Sequence, residues 1–312
     1  MIICFSDGRL GNQLFQFAFL VKHSAENELI LTTNMGCLLE TFETPRRIRN
    51  IQNRYIVFLL RKLLKPLLRL AIRAALVTSY QQERRMMGTS CRLINSYRET
   101  RGLLRGVKIS IDNFFQAEEF FDVETLRDVL QVKARFREEA EAFLSRIPAG
   151  SHRVFVHVRR GDYVSEVFLG LKGIDLPVEY FKEGIKRIAA KVRNPYFIFL
   201  SDDVSFCDYC FSEIEPRIVS GNSMQTDFAI MTLCNSGVIS NSSFAWWGAY
   251  FMTDREIVVA PKYWWGWKQG ILSHPAIYPS FSEVLDPVHE RRQTQGEVPS
   301  DASSVAAEHV NG

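Results

Sequence analysis

The chain lacks several features that would place it in a common class of protein. Its 312 residues carry a net charge of only +3, whereas a nucleic-acid-binding protein normally has a large basic excess on one face. Because of this low net charge, nucleic acid is not an expected partner. No basic segment followed by an apolar run opens the chain, so no secretory signal is evident and we expect a cytoplasmic protein.

Metal-binding patterns are also scarce. Cys207 and Cys210 have C-x-x-C spacing, but a structural zinc site needs four ligands and no second pair accompanies them. Asp202 and Asp203 are adjacent, whereas the Asp-x-Asp motif of many divalent-ion sites separates its carboxylates by one residue. We therefore expect neither a metal ion nor a cofactor. We expect these two carboxylates to cap a helix or to accept hydrogen bonds from a ligand.

The segment most informative about function is HVRRGD at residues 157–162. The apolar residues before it predict a buried strand, and in open parallel sheets ligands collect beyond the carboxyl ends of the strands. Arg159 and Arg160 each present a planar fork of donors that matches phosphate oxygens, so the segment indicates a diphosphate site. The alternative is a strand end whose charges simply meet water.

A glycine-containing turn follows the first strand of the chain. Residues 2–5 predict that strand, residues 8–13 (GRLGNQ) predict the turn, and residues 14–23 predict a helix. Such a turn lets a phosphate approach the free N–H groups of the helix. An ordinary turn is the alternative, because the full dinucleotide-binding fingerprint is missing.

From residue 152 onward, strands and helices alternate regularly, which predicts an α/β fold with a doubly wound parallel sheet. The predicted strands are 153–158, 196–200, 217–219, 237–240 and 257–260, and the predicted helices are 178–192, 225–234 and 244–252.

Polar side chains begin two of these helices. Ser242 and Ser243 lie at a strand-to-helix junction, where they suit either a phosphate cradle or simple capping of the helix. Asp227 lies in the first turn of the preceding helix, where it suits either the helix dipole or the N–H groups of a purine.

Residues 55–77, YIVFLLRKLLKPLLRLAIRAALV, predict a helix that Pro66 kinks. Four basic residues recur every four positions and form a stripe on this otherwise apolar helix: Arg61, Lys65, Arg69 and Arg73. Charges at this frequency exclude a bilayer span, but the pattern suits the plane of an anionic membrane surface. The alternative is a helix packed on its own domain with a solvated basic face.

Four blocks of the chain closely resemble the bacterial α-1,2-fucosyltransferases of glycosyltransferase family 11, in order and spacing as well as in residue identity. The blocks are GNQLFQ at 11–16, HVRRGD at 157–162, Asp227 followed by Cys234, and SNSSFAWWGA at 240–249. The HVRRGD block is also similar to that of α-1,6- and protein O-fucosyltransferases. It therefore implies GDP-fucose more firmly than it implies the linkage.

The resemblance implies a GT-B-like α/β fold in which two Rossmann-like domains face a cleft. It implies inverting, metal-independent transfer of L-fucose from GDP-fucose to the 2-hydroxyl of a terminal galactose in a glycan. We expect an acceptor-side domain at residues 1–150 with the helical insertion at about 55–77, and a nucleotide-sugar-binding domain at 151–286. The polar composition after these domains predicts a disordered tail at 287–312.

The resemblance also implies roles for single residues. The donor-binding residues are His157, Arg160, Gly11, Asn12, Gln13, Asp202, Asp227, Ser242, Ser243 and Phe244. Arg159 and Asp162 are assigned to catalysis, with Arg159 on the β-phosphate, because negative charge grows on the leaving GDP and fixed cations must stabilise it. Pairing with arginine would lower the pKa of Asp162 and weaken it as a base, so the general base stays unassigned.

Three alternatives accompany this hypothesis. Arg160 and Asp162 can form a structural pair. The linkage can be of the α-1,6 or protein O-fucosyl type. The chain can also be a non-catalytic nucleotide-binding protein that docks on membranes through residues 55–77.

Overall fold

The computed structural model describes residues 1–87, 92–274 and 277–287. Apart from residue 287, the tail expected at 287–312 lies outside the described residues. The described part of the chain forms two six-stranded sheets, one from each half of the sequence. The exact domain boundary near residue 150 stays a prediction.

The first half builds a sheet that is parallel except at one edge. Its elements are β1 (Ile2–Phe5), α1 (Leu10–Lys22), β2 (Ile30–Thr33), α2 (Gly36–Thr41), β3 (Phe42–Glu43), β4 (Ile48–Ile51), α3 (Arg54–Leu59), a π-helical turn (Leu60–Leu64), α4 (Lys65–Arg73), β5 (Val77–Met87), β6 (Arg92–Thr100) and β7 (Leu104–Ile111). The strand order is β4-β2-β1-β7-β5-β6, with β5 and β6 antiparallel and the other neighbours parallel.

The second half builds a fully parallel sheet. Three elements link it to the first half: α5 (Val123–Val129), β8 (Gln131–Val132) and α6 (Ala134–Leu144). The elements of the second half are β9 (His152–Val158), β10 (Val167–Phe168), β11 (Leu171–Lys172), α7 (Val178–Ala189), β12 (Pro195–Ser201), α8 (Val204–Cys210), β13 (Arg217–Val219), α9 (Met224–Thr232), β14 (Ser236–Val238), α10 (Ser243–Tyr250), β15 (Ile257–Pro261) and β16 (Ser282–Leu285). The order β13-β12-β9-β14-β15-β16 is the 3-2-1-4-5-6 order of a Rossmann sheet, so the doubly wound prediction is confirmed.

Residues 46–105 differ most from the sequence-based expectation. Few strand signals are visible there, yet β5 and β6 span 11 and 9 residues. The outer half of β5 is exposed and β6 is an edge strand, so these strands carry polar side chains where a buried strand would show an apolar run.

The helix that follows β1 begins earlier than expected, at Leu10 rather than at residue 14. Gly8, with a φ of 81°, makes the turn. Gly11, Asn12 and Gln13 therefore lie in the first turn of α1 and not in the turn before it, which corrects the sequence-based assignment.

Residues 54–73 are helical throughout, as predicted, but the orientation of the helix differs in part from the prediction. Arg61 donates to the carbonyl oxygen of Ser6 at 2.6 Å, while Lys65 and Arg69 form ion pairs with Asp112. The expected solvated basic stripe is therefore present only in part: Arg61 and Lys65 face the first sheet, whereas Arg69 is 53% exposed and Arg73 is exposed. The strand ends of the first sheet supply acceptors for the cations, so the apolar side chains are the exposed ones.

One hydrophobic core joins the two halves. Phe15 of α1 packs against Trp246 and Trp247 of α10, with ring centroids 4.7 and 4.9 Å apart, and both indoles are fully buried. Trp246 also donates from Nε1 to the carbonyl oxygen of Ile277 at 2.7 Å. The two tryptophans thus hold the halves together.

Gly11 is the point of closest approach between α1 and α10. A Cβ atom at this position would lie 2.4 Å from the backbone nitrogen of Phe244 and 2.4 Å from the carbonyl carbon of Ser243. Backbone atoms cannot swing aside as a flexible side chain can, so only glycine allows the two helix starts to touch.

We expect Gly11→Ala to lower the free energy of unfolding by about 1–3 kcal/mol, the usual cost of overpacking a close contact. The measurement is urea-induced unfolding. Gly36→Ala is the matched control, because nothing lies within 4 Å of a Cβ at that helical position. Equal stability of the two variants would contradict the close-contact role of Gly11.

Candidate functional site

A cleft of about 520 Å³ lies between the two halves of the molecule. It opens at the carboxyl ends of β9 and β12, where an open parallel sheet offers its ligand site. The lining residues are Gly8, Arg9, Leu10, Gly11, Asn12, His157, Arg159, Asp162, Tyr163, Ser201, Asp202, Asn222, Met224, Asp227, Ser242, Ser243 and Phe244.

Arg159 is the best-held cation of the cleft. Its guanidinium donates to the carboxylate of Asp162, forms an ion pair with that of Asp202 at 2.7 Å, and lies 5.3 Å from the centroid of the Tyr163 ring. The arginine side chain is 15% exposed, whereas Asp162 is 52% exposed. The charge is thus fixed in position and poorly screened by water, which strengthens its attraction for an anion in the cleft.

Arg160 points away from the cleft. Its guanidinium pairs with Asp175 and with Asp203, each at 3.3 Å, and lies over the ring of Phe206 at 3.7 Å. Arg160 is absent from the lining, and Asp162 pairs with Arg159 rather than with it. The structure therefore gives Arg160 a role in holding the strand end and not in contacting a ligand.

Three helix N-termini converge on the cleft. Residues from the starts of α1, α9 and α10 line it, and Ser242 caps α10 by accepting from the backbone N–H of Phe244. A helix N-terminus carries free N–H groups and the positive end of the helix dipole. The cleft therefore attracts anions through the backbone as well as through Arg159.

Asn12 links the two walls of the cleft. Its Oδ1 accepts from Nε2 of Gln116 at 2.7 Å and from the hydroxyl of Ser243 at 3.0 Å. Gln13, by contrast, is buried and bonds to the backbone of Gly8 and Leu38. Gln13 does not line the cleft, so its expected ligand contact is corrected to a role in shaping the start of α1.

His157 is a neutral hydrogen-bonding group at the base of the cleft. Burial, and next the charge of Arg159, lower the pKa of its imidazole to about 3. Its Nδ1 bonds to the hydroxyl of Ser240 at 2.8 Å across the β9–β14 pair. The imidazole thus orients groups without carrying charge at neutral pH.

Asp227 lies in the first turn of α9 and accepts a hydrogen bond from the Ser220 hydroxyl. Burial raises the pKa of this carboxyl to about 7, although the Ser220 hydrogen bond acts in the opposite direction. The protonation state of Asp227 therefore changes near neutral pH.

The structure brings most of the predicted site residues together and adds others. The lining residues outside the predicted site residues are Gly8, Arg9, Leu10, Tyr163, Ser201, Asn222 and Met224. All of them except Asn222 lie within three residues of a predicted one, so the signal was their position at the same strand ends and helix starts.

Two features are absent from the part of the chain that the structure describes. No group of three or more His, Cys, Asp or Glu side chains within 1–87, 92–274 and 277–287 is placed to hold a metal ion. Over the same ranges, no helix combines the length and the apolar character that crossing a bilayer requires.

Comparison with known proteins matches nearly the whole chain to one family. The model described as Glycosyl transferase family 11 matches residues 1–269. An alpha-1,2-colitosyltransferase of Escherichia coli is 27% identical over 271 residues, which cover 82% of this chain and 90% of that protein. The galactoside 2-alpha-L-fucosyltransferase SEC1 of Bos taurus is 32% identical over 136 residues, which cover 41% of this chain and 37% of that protein.

Solved structures show the same fold at low identity. NodZ alpha-1,6-fucosyltransferase, co-crystallized with GDP, superposes with a TM-score of 0.50 at 11% identity, covering 80% of this chain and 92% of that one. A glycosyl transferase family 9 protein of Veillonella parvula gives 0.50 at 12% identity, covering 96% and 90%. The fold is therefore GT-B-like, with two facing α/β halves.

We expect Asp227→Asn to stabilise the fold at pH 8 and to have little effect at pH 4. An unfolded aspartate ionises near pH 3.9, so between that pH and about 7 the folded chain holds a proton that the unfolded chain lacks. Stability therefore falls as pH rises through this window, and the amide removes a penalty of as much as about 4 kcal/mol.

Urea unfolding across this pH range measures the effect. Asp254→Asn is the control, because Asp254 is exposed. A stability gain for Asp227→Asn that is equal at pH 4 and pH 8 would argue against the raised pKa.

Proposed function

The chain belongs to glycosyl transferase family 11 and is a glycosyltransferase, and we propose that it transfers L-fucose from GDP-fucose to the 2-hydroxyl of a terminal galactose in a glycan. The proposal includes inversion at the sugar carbon and independence of metal ions. It also includes a galactose-terminated glycan as acceptor and a peripheral contact of residues 55–77 with an anionic membrane surface.

The observation that carries the donor assignment is the convergence of Arg159 and three helix N-termini on one cleft. A diphosphate needs donors on several sides, and Arg159, Ser242 and the start of α1 surround one space. His157 and Asp227 lie on the same wall of the cleft, where we place the guanine and ribose. A carboxylate at Asp227 would accept N–H bonds from a purine edge.

The proposed reaction depends more on positive charge beside the leaving phosphate than on side chains that form a covalent bond to the sugar. The acceptor hydroxyl attacks the sugar carbon and gives up its proton to a general base that stays unassigned, the bond to GDP breaks, and negative charge grows on the leaving phosphate. Arg159 and the N–H groups of α10 are preorganised to stabilise that charge without a metal ion. Arg9, at the start of α1, adds a second cation on the opposite wall.

Asp162 supports this step by holding Arg159. Its carboxylate accepts a hydrogen bond from the guanidinium, and Asp202 forms a second ion pair with the same guanidinium. Because the Asp162 carboxylate is engaged with Arg159, we assign Asp162 to positioning and leave the general base unassigned.

The acceptor site that we propose adjoins the donor cleft. A second depression is lined by Arg84, Asn95 and Gln116 from the first half and by Phe168 and Trp265 from the second. Gln116 connects it to the cleft through Asn12. The depression itself holds only about 20 Å³, so a sugar ring would rest over its mouth, with its apolar face on the aromatic rings and its hydroxyl edges toward the hydrogen-bonding side chains.

Family membership favours an enzyme over the non-catalytic alternative. Product analysis tests the proposed linkage. Linkage determination on a panel of galactosides distinguishes transfer to the 2-hydroxyl from transfer to other hydroxyls. A colitose donor assayed in parallel covers the activity for which the E. coli relative is named.

We expect Arg159→Ala to lower kcat with GDP-fucose and a galactoside by about 10²–10³-fold, as is usual when one preorganised donor for a leaving anion is lost. GDP release with and without the galactoside measures turnover. Addition of a chelator should leave the wild-type rate unchanged.

Arg187→Ala is the control for this variant, because Arg187 lies on α7, pairs with Glu183 of its own helix and is not among the cleft-lining residues. Full turnover by a folded Arg159→Ala protein would refute the assignment. A rate that the chelator abolishes would refute metal independence.

We expect Trp265→Ala to raise the KM for the galactoside by about tenfold, since loss of one stacking surface costs roughly 1–2 kcal/mol. The affinity for GDP, measured by calorimetry, should not change, because Trp265 does not line the donor cleft. An unchanged acceptor KM would place the acceptor elsewhere.

A further inference from the structure

The helical segment 54–73 exposes its apolar side to solvent. We name this side the apolar face; with the adjoining loop residues its members are Tyr55, Ile56, Phe58, Leu59, Leu63, Leu67, Leu70, Leu76, Leu103 and Leu104. Leu63 is 64% exposed and Leu103 is 80% exposed. A folded protein rarely leaves so many large apolar side chains in one exposed patch unless another surface covers them.

The orientation is fixed by the opposite side of the same helix. Arg61 reaches the carbonyl oxygen of Ser6, and Lys65 and Arg69 reach Asp112, so these cations are committed to the first sheet. With its polar anchors turned inward, the helix cannot bury its leucines against its own domain. The exposure therefore follows from definite contacts.

The charge around the apolar face is of one sign. Residues 44–82 contain nine basic residues and no acidic residue, the basic ones being Arg46, Arg47, Arg49, Arg54, Arg61, Lys62, Lys65, Arg69 and Arg73. Arg54, Lys62 and Arg73 are exposed beside the apolar side chains, and the exposed Arg101 and Arg105 flank Leu103 and Leu104.

We infer that the apolar face inserts into an anionic lipid surface, with Arg54, Lys62 and Arg73 at the level of the lipid phosphates. An apolar helix side edged by long cations is the arrangement that interfacial helices use, since the aliphatic stems lie along the apolar region while the charges reach the headgroups. This inference rests on the membrane contact proposed above and replaces the basic stripe with the apolar face as the contacting side.

A second copy of the chain fits the same face less well. In a two-fold interface each patch meets its own equivalent, so the cations of one copy would face those of the other with no acidic residue of this segment to pair them. Anionic lipid supplies the missing negative charge, and it also covers the apolar surface.

Docking would also orient the cleft. Ser6, which Arg61 holds, lies two residues before Gly8 of the cleft lining. The segment that carries the apolar face is therefore anchored close to the cleft lining, so a docked chain would hold its cleft near the membrane surface.

The test is co-sedimentation of the full chain with vesicles of phosphatidylcholine, with and without phosphatidylglycerol. We expect wild type to bind the anionic vesicles at low salt. A variant combining Leu63→Gln, Leu67→Gln and Leu70→Gln should bind at least about tenfold more weakly. A variant combining Leu29→Gln and Tyr209→Gln is the control, because both residues are exposed outside the apolar face.

A second variant, with Arg54, Lys62 and Arg73 all changed to Gln, should lose only the part of the binding that phosphatidylglycerol adds and that salt screens. The inference is overturned if wild type does not bind anionic vesicles at low salt, or if the leucine variant binds as well as wild type. It is also overturned if sedimentation velocity shows a dimer that the leucine variant dissociates.

Turnover separates this inference from the proposed function. The leucine variant should release GDP from GDP-fucose with a soluble galactoside at the wild-type rate, because no altered residue lines the cleft. Absence of that reaction in wild type would refute the proposed function and leave the vesicle result to decide the docking surface.

Discussion

The contact between α1 and α10 at Gly11 is the constraint on which the rest of the cleft depends. With no side chain between them, the two helix starts touch, and Asn12 comes within hydrogen-bonding distance of Ser243. Behind this contact Phe15 is packed on Trp246, so the position of one half relative to the other is set by a buried aromatic core. The cleft is thus held open by rigid packing.

In the cleft, Arg159 pairs with two carboxylates that differ in exposure and in the number of their hydrogen bonds. Asp202 is 27% exposed and also accepts from the backbone N–H of Arg160, whereas Asp162 is 52% exposed and lacks that second anchor. Gly161 makes the Asp202 contact possible, because a Cβ there would lie 2.4 Å from its carboxylate. A phosphate entering the cleft would therefore displace Asp162 more readily than Asp202, and Asp202 would keep the guanidinium in place.

The sequence predicted the second half far better than the first. The strand ends near Arg159 and the helix start at Ser242 follow from short apolar runs that alternate with helical segments at regular spacing. The inward turn of Arg61 and Lys65 could not be predicted in the same way, because their acceptors, Ser6 and Asp112, are remote in sequence. The expected ligand contact of Gln13 was wrong for a related reason. Its hydrogen-bond partners could not be predicted from the sequence, because they depend on α1 beginning at Leu10.

The two sheets use their topological switch points for different purposes. In the second sheet the switch lies between β9 and β14, where His157 and Ser240 meet at the floor of the cleft. In the first sheet it lies between β1 and β7, and there the acceptors that follow the strands are taken by the basic side of the 54–73 helix. A ligand at that point would have to compete with fixed cations. This asymmetry accounts for a donor cleft built mainly on the second sheet, with the first half contributing the start of α1, and for a helix whose leucines remain exposed.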